Sequence, residues 1–263
     1  MDDRDYKKYL RNVIFKDNLE ECDRLEILHH LKTELLEMRD SIERTPYVIE
    51  FSGTPRTGKT TIINNLNEFF SKGNFKVKVI EEFTTSERYK KEIKPIFKDM
   101  SRRDINFEIP KYVLEDLNEA IEEKPDIILA DRSLFDRLVW IDRLYITGRL
   151  SDEDYKLYKD TYSPLIKDNI NTIITTYVDA LTAIRRDYRA NLSLEQRRFL
   201  NEDNVLEFNE SLIRMYNYMK RIGANISMFD TCELSQRDTS IQVSECILND
   251  MRKEYTKRLS KTK

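Results

Sequence analysis

The sequence predicts a three-layer α/β fold around a five-stranded parallel sheet, and three observations predict it. Five short apolar segments with strand character alternate with segments of helical pattern along 263 residues. One of these strands runs directly into a glycine loop and a helix, Gly53-Thr54-Pro55-Arg56-Thr57-Gly58-Lys59-Thr60 followed by Thr61-Ile62-Ile63. Another, Asp126-Ile127-Ile128-Leu129-Ala130-Asp131, is apolar throughout and closes on an acid, as a strand buried on both faces would.

The elements follow in order. Residues from about Asp5 to Arg44 contain neither glycine nor proline. Leu28, Leu31, Leu35, Met38 and Ile42 step by three and four there, so the stretch reads as one helix with an apolar stripe. It forms an N-terminal helical extension, residues 1–45, and Pro46 opens the main domain, residues 46–263. The first strand is Tyr47-Val48-Ile49-Glu50-Phe51-Ser52, and the loop and its helix come next. Gly73-Asn74 turns the chain into a second strand, Lys76 to Glu82. Ser101-Arg102-Arg103-Asp104 reads as a loop, Pro110 as the start of a helix through Glu123, and Lys124-Pro125 as its end. After the third strand, Ser133-x-x-Asp136 and Ser151-x-x-Asp154 mark two helix starts, with Gly148 closing the first helix. Ile170 to Tyr177 and Asn225 to Asp230 are the remaining strands. A last helix from about Gln236 runs into a basic tail, Lys253 to Lys263, expected to be solvated and frayed.

Composition narrows the function classes. A net charge of −3 and a pI near 5.7 provide no basic field for nucleic acid. No run approaches the roughly 18 apolar residues of a membrane span, and the start, Met1-Asp2-Asp3-Arg4, lacks an apolar targeting segment. The expectation is a cytoplasmic protein that engages neither nucleic acid nor membrane. Cys22, Cys232 and Cys246 are far apart, and His29 and His30 are neighbours, so no metal spacing is present.

The loop from Gly53 to Thr60 fits G-x-x-x-x-G-K-[ST], the Walker A motif of P-loop NTPases, in its strand–loop–helix context. Glycines let backbone N–H groups wrap an anion at a helix mouth whose dipole favours negative charge. Gly53 through Thr61 is therefore the expected binding site for a nucleoside triphosphate, with Lys59 reaching the β/γ-phosphates and Thr60 holding Mg²⁺. Parallel sheets bind ligands at the carboxyl ends of their strands. Four such ends carry polar groups: the loop itself, Glu81-Glu82, Asp131-Arg132-Ser133, and the stretch from Asp179 to Arg189. Glu82 suits a general base, Asp131 a magnesium ligand, and Arg132 a phosphate bridge. Ser133 is accounted for as a helix cap. Arg185, Arg186, Arg189, Arg197 and Arg198 surround a loop-like stretch at about 185–202 that reads as a lid, with at least one of Arg185, Arg186 and Arg189 expected to act on the γ-phosphate and Arg185 and Arg189 put first as its catalytic cations.

In this order the motifs resemble the deoxynucleoside kinases, within the P-loop kinase group that includes thymidylate kinase. The resemblance spans roughly Tyr47 to Glu233 and rests on the loop, on Val79-Ile80-Glu81-Glu82, and on Asp131-Arg132-Ser133. It also rests on Gly148 to Tyr155 with Tyr158, on the arginine lid, and on Phe229-Asp230. It implies ATP as donor, Glu82 as base toward a sugar 5′-hydroxyl, Arg132 and Arg189 as catalytic cations, Asp230 beside the adenine and, often, a homodimer. The chain departs from the family at Phe83, where a proline is usual, and in having Asp131 open the triplet. The base-reading glutamine has no counterpart, and Glu108 stands nearest to its place.

The resulting expectation is an ATP- and Mg²⁺-dependent kinase acting on a small-molecule hydroxyl, foremost a nucleoside 5′-hydroxyl. Two alternatives stay open on the residues, alongside a non-nucleotide alcohol as acceptor. A nucleoside-monophosphate kinase would need further cations, for which Arg88, Arg102 and Arg103 are candidates; a nucleotide-switched module would act on a protein through the N-terminal helix.

Overall fold

A computed structural model of the chain describes residues 7–16, 18–43, 45–191 and 200–262, with the side chains of residues 102, 190, 191 and 262 excepted. It divides into two compact units, Arg44–Thr239 and a smaller one made of Met1–Glu43 with Ser240–Lys263.

The larger unit is built on five parallel strands: β1 (Tyr47–Gly53), β2 (Val77–Ile80), β3 (Ile127–Asp131), β4 (Thr172–Tyr177) and β5 (Ile226–Asp230). Their order across the sheet is β2-β3-β1-β4-β5. β1 lies at the centre, with Phe51 opposite Asp131 on one side and Gly53 opposite Thr176 on the other. All seven of its residues are buried, which is why it reads as an unbroken run rather than an alternating one. The register brings Gly53, Asp131 and Thr176 to the same end of the sheet, where the order reverses on either side of β1.

Helices flank the sheet. On one face Val48, Ile128, Ile173 and Ile226 join a core with residues from α3 (Arg102–Glu122), α4 (Leu134–Ile146), α5 (Asp152–Asn169) and α7 (Glu202–Arg221). The amphipathic α2 (Lys59–Ser71) buries Ile62, Ile63, Leu66 and Phe70 and packs against β1, β2 and β3. A small cluster of Val178, Ala180, Ala183 and Val205 seats α6 (Ala180–Asn191).

The ends of α3 and α5 show what sets helix boundaries here. Ser151 caps α5 by accepting from Asp154 N, as its Ser-x-x-Asp pattern predicts. Ser101 does the same for α3 through Asp104 N, so the helix begins at Arg102 and not at Pro110. Pro110 sits inside the helix, and the stretch read as a loop is its capped first turn.

In the smaller unit the expected single helix is broken. A five-residue π-helix, Leu10–Ile14, precedes α1 (Leu19–Arg39), and Asn18 separates them by capping α1 through Glu21 N. Of the predicted stripe, Leu28 and Leu35 are buried. The last helix, α8 (Gln236–Thr262), starts in the larger unit and continues through the smaller. Arg24 of α1 grips Glu245 of α8 with two bonds of 2.8 Å, and Arg252 reaches Glu34 at 2.8 Å. The basic tail is therefore helical and not frayed: Met251 and Tyr255, one turn apart, are buried beneath its charged face. Among the described residues no helix is long and apolar enough to cross a membrane.

Candidate active site

Glycine is required where β1 becomes the loop. Gly53 has φ of 134°, and a Cβ there would lie 2.0 Å from the Thr176 carbonyl oxygen. The loop is then locked from behind. Thr54 Oγ1 donates to Asn209 Oδ1 at 2.6 Å, Thr57 Oγ1 donates to the Thr54 carbonyl at 3.0 Å, and the Thr57 and Thr176 hydroxyls meet at 2.6 Å. Gly58, at φ 88°, delivers the chain into α2.

Lys59 is buried, and its Nζ donates to the carbonyls of Gly53 (3.1 Å) and Thr54 (2.8 Å). Burial lowers its pKa to about 7, and the nearby Arg132 adds to the effect. The carboxylates of Asp131, Asp136 and Glu82 offset this only in part, so the ammonium suits a further anion in the loop. Thr60 Oγ1 lies 3.4 Å from Asp131 Oδ2, joining the loop to the end of β3. Burial raises the Asp131 carboxyl, and its Oδ1 is buried without a hydrogen-bond partner among the described residues. A hydroxyl beside an orphaned carboxylate oxygen fits a hard divalent cation shared with phosphate oxygens.

Arg132 occupies the left-handed region, with φ of 56°, a backbone strain that costs about 1–3 kcal/mol and recurs at functional sites. Its guanidinium bonds Asp136 Oδ1 at 2.8 Å and the Gly53 carbonyl at 3.1 Å, and its Nε lies 3.5 Å from Glu82 Oε2. Burial alone would raise Asp136, but Arg132, Arg137 and the Ser52 hydroxyl hold its carboxyl below the ordinary range. Glu82 is partly exposed and accepts from Thr84 Oγ1 at 3.0 Å, whereas Glu81 is exposed away from the site.

Ser133 does not cap α4 with its side chain. The buried Glu50 of β1 takes that role: its two carboxyl oxygens accept from Phe135 N and Asp136 N, each at 2.9 Å. Burial pushes Glu50 up to about 8. The folded protein therefore holds a proton here that an unfolded carboxyl releases near its ordinary value. Stability from this group is fully present below about pH 4.5 and is lost as the pH rises through 8. Chemical denaturation of wild type and Glu50→Gln is expected to show a wild-type advantage at pH 5 that shrinks by a few kcal/mol toward pH 8. An advantage that grows with pH would contradict this account.

Two cavities meet at these residues. The first, about 570 Å³, is lined by Pro55 through Thr61 together with Glu82, Asp131, Arg132 and Arg186. Gly53 and Thr54 stand behind it as supports. The second, about 340 Å³, shares Pro55, Glu82 and Arg132 with the first and is otherwise walled by Thr84, Arg137, Trp140, Arg143, Phe208 and neighbouring residues of α7.

Of the expected site, Lys59, Thr60, Glu82, Asp131 and Arg132 are thus brought together, and Pro55 to Thr61 lines the first cavity. Arg56 lines it too, while its Nε donates to Asp187 Oδ1 of α6 at 2.6 Å. Arg185 and Arg189 are exposed and line neither cavity. Among the described arginines of this cluster, Arg186 of α6 lines the first cavity, donating to Thr231 Oγ1 at 3.1 Å. Asp230 is exposed and accepts from Cys232 N at 2.9 Å, and its neighbour Thr231 lines the cavity in its place. Arg197, Arg198 and the Arg102 side chain lie outside the described residues. Arg88 pairs with Glu115 and Asp116, and Arg103 with Asp154, and neither lines either cavity. Glu108 pairs with Lys111 and also stands apart from both.

Sequence reasoning passed over Glu50, Asp136, Arg137 and Trp140. A glutamate inside an apolar strand, and a second Asp-Arg pair five residues after Asp131-Arg132, are the available signals.

A family model described as an AAA domain matches residues 48–157. Three solved structures of deoxyadenosine kinase from M. mycoides share the fold. The one with the products dCMP and a flexible dCDP is 20% identical with a TM-score of 0.52, and covers 77% of this chain and 98% of its own. The dCTP-bound structure is 19% identical with a TM-score of 0.52, at 77% and 98% coverage. The dATP-bound one is 20% identical with a TM-score of 0.51, at 77% and 99% coverage. No curated protein sequence matches the chain. The chain shares with these enzymes the P-loop fold, a five-stranded parallel sheet with flanking helices.

Proposed function

We propose that the protein is a kinase that transfers the γ-phosphoryl group of ATP to the 5′-hydroxyl of a nucleoside or deoxynucleoside. One observation carries the reading: Glu82 and Arg132 line both the phosphate cavity and the aromatic-walled cavity beside it. A switch that only hydrolyses ATP has no need of a second, ring-sized space at the same carboxylate.

In this reading the P-loop N–H groups and Lys59 hold the donor phosphates. Thr60 and Asp131 would hold Mg²⁺, which when bound neutralises phosphate charge and orients the chain for in-line transfer. Glu82 accepts the proton of the acceptor hydroxyl as its oxygen forms a bond to the γ-phosphorus. The bond from that phosphorus to the bridging oxygen breaks, and ADP leaves with the electron pair. Arg132, fixed by Asp136 and the Gly53 carbonyl, stabilises the charge spread over the transferring oxygens. Arg186, which lines the same cavity and reaches the Arg56 carbonyl at 3.4 Å, adds a cation beside the donor phosphates.

ADP release from ATP and Mg²⁺ is expected to accelerate at least about tenfold when a suitable nucleoside is added. A slow rate indifferent to every nucleoside tested would refute the reading in favour of a switch.

A further inference from the structure

One group in the acceptor-side cavity has no task in the proposed chemistry. Arg137, on α4, lines this cavity and is 9 % exposed. Its Nη2 donates to Asp136 Oδ2 at 2.7 Å, while its Nε is buried with no partner, and the guanidinium makes no other hydrogen bond among the described residues. A buried donor left open in this way is costly unless a ligand completes it.

The neighbouring charges say what kind of ligand fits. Arg132 and Arg137 share the buried Asp136, Arg132 also faces Glu82 at 3.5 Å, and Arg143 is held by Glu207 at 2.8 Å. Each cation already has a carboxylate, so the cavity does not call for a further full negative charge. It calls for a neutral hydrogen-bond acceptor, because arginine carries donors only. Glu82 is the one carboxylate among the described lining residues, and the hydroxyl end of the acceptor occupies it. Trp140 and Phe208, with ring centroids 5.4 Å apart, provide apolar walls for a flat ring.

We infer that Arg137 selects the acceptor by its base, favouring a nucleoside whose ring edge presents a carbonyl oxygen, a 6-oxopurine or 4-oxopyrimidine, over one that presents an amino group. The inference rests on the nucleoside kinase reading above. An amino edge would set N–H against N–H at Arg137 and leave both unpaired in a buried site, the mismatch that polar pockets reject most strongly.

Trp140 is the single tryptophan of the chain and lines this cavity, so its fluorescence reports binding there. The full chain would be titrated with deoxyguanosine against deoxyadenosine, and with thymidine against deoxycytidine, so that purine and pyrimidine are separate arms. In at least one arm the oxo member is expected to bind about tenfold tighter or more. Arg137→Gln, whose side chain both donates and accepts, is expected to compress that ratio to within about threefold. Should this variant fail to fold, the wild-type ratio decides alone. Amino nucleosides binding as tightly as oxo ones, or a nucleoside monophosphate binding far tighter than its nucleoside, would overturn the inference and leave phosphoryl transfer standing. If no nucleoside binds at all, the nucleoside reading falls, and this inference with it.

Discussion

Lys59→Ala is expected to lower kcat/KM for phosphoryl transfer by about a thousandfold or more, in a protein that remains folded. Lys59 is a buried cation whose hydrogen bonds among the described residues go to two backbone carbonyls and the Thr57 hydroxyl, 3.3 Å away. Those contacts satisfy its protons without neutralising its charge, which is why burial drives its pKa down to about 7. The residue therefore adds little to folding and much to holding an anion. Removing it relieves a desolvated charge and, on the proposed reading, deletes the lysine that holds the donor phosphates. Thermal unfolding should shift by only a few degrees while turnover is lost. A variant that retained a tenth of wild-type activity would mean that the loop binds something other than a polyphosphate.

Glu82→Gln is expected to reduce kcat by about 10²- to 10⁴-fold with little change in ATP affinity. The amide keeps the shape of the carboxylate, and its oxygen can still accept from Thr84, but it cannot take up the acceptor proton. The contact between Arg132 and position 82 weakens, yet Arg132 retains Asp136 and the Gly53 carbonyl, so its position should hold. Single-turnover measurement with saturating ATP separates the two effects, since a defect in binding would vanish there and a defect in proton acceptance would not. Unchanged turnover would remove Glu82 from the chemistry and leave its place between the two cavities without a role.

What the sequence disclosed of this fold followed from backbone demands that few residues meet. A strand without a polar face, a glycine at φ 134° and a lysine at the head of a helix have few other readings, so β1, the loop and the helix after it were legible, whereas the order of the strands across the sheet was not. Rotation about a helix axis was not. Arg185 and Arg189 lie four apart and share an exposed face of α6, while Arg186, turned by about 100°, meets Thr231 at the site. Spacing located the arginine cluster but did not choose among Arg185, Arg186 and Arg189, of which Arg186 lines the cavity.

Caps were legible only where the capping residue was a neighbour in sequence. Ser151 met its own Asp154, but α4 is capped by Glu50 from 85 residues away, a relation that exists only once β1 and β3 are paired. Arg137 was passed over for a similar reason. Its significance lies in a missing partner inside a cavity, and a sequence does not record which donors go unmet. In α8 the charge density of the tail masked Met251 and Tyr255, whose burial depends on a helix that continues to Thr262.

The central claim is that the two cavities sharing Glu82 and Arg132 hold the donor and the acceptor of one phosphoryl transfer. Its most direct test is to incubate the protein with γ-labelled ATP, Mg²⁺ and a nucleoside mixture, and to identify the labelled product by mass spectrometry. A nucleoside 5′-monophosphate formed in equal amount with ADP is the predicted result. Label recovered only as inorganic phosphate, with every nucleoside unchanged, would contradict it.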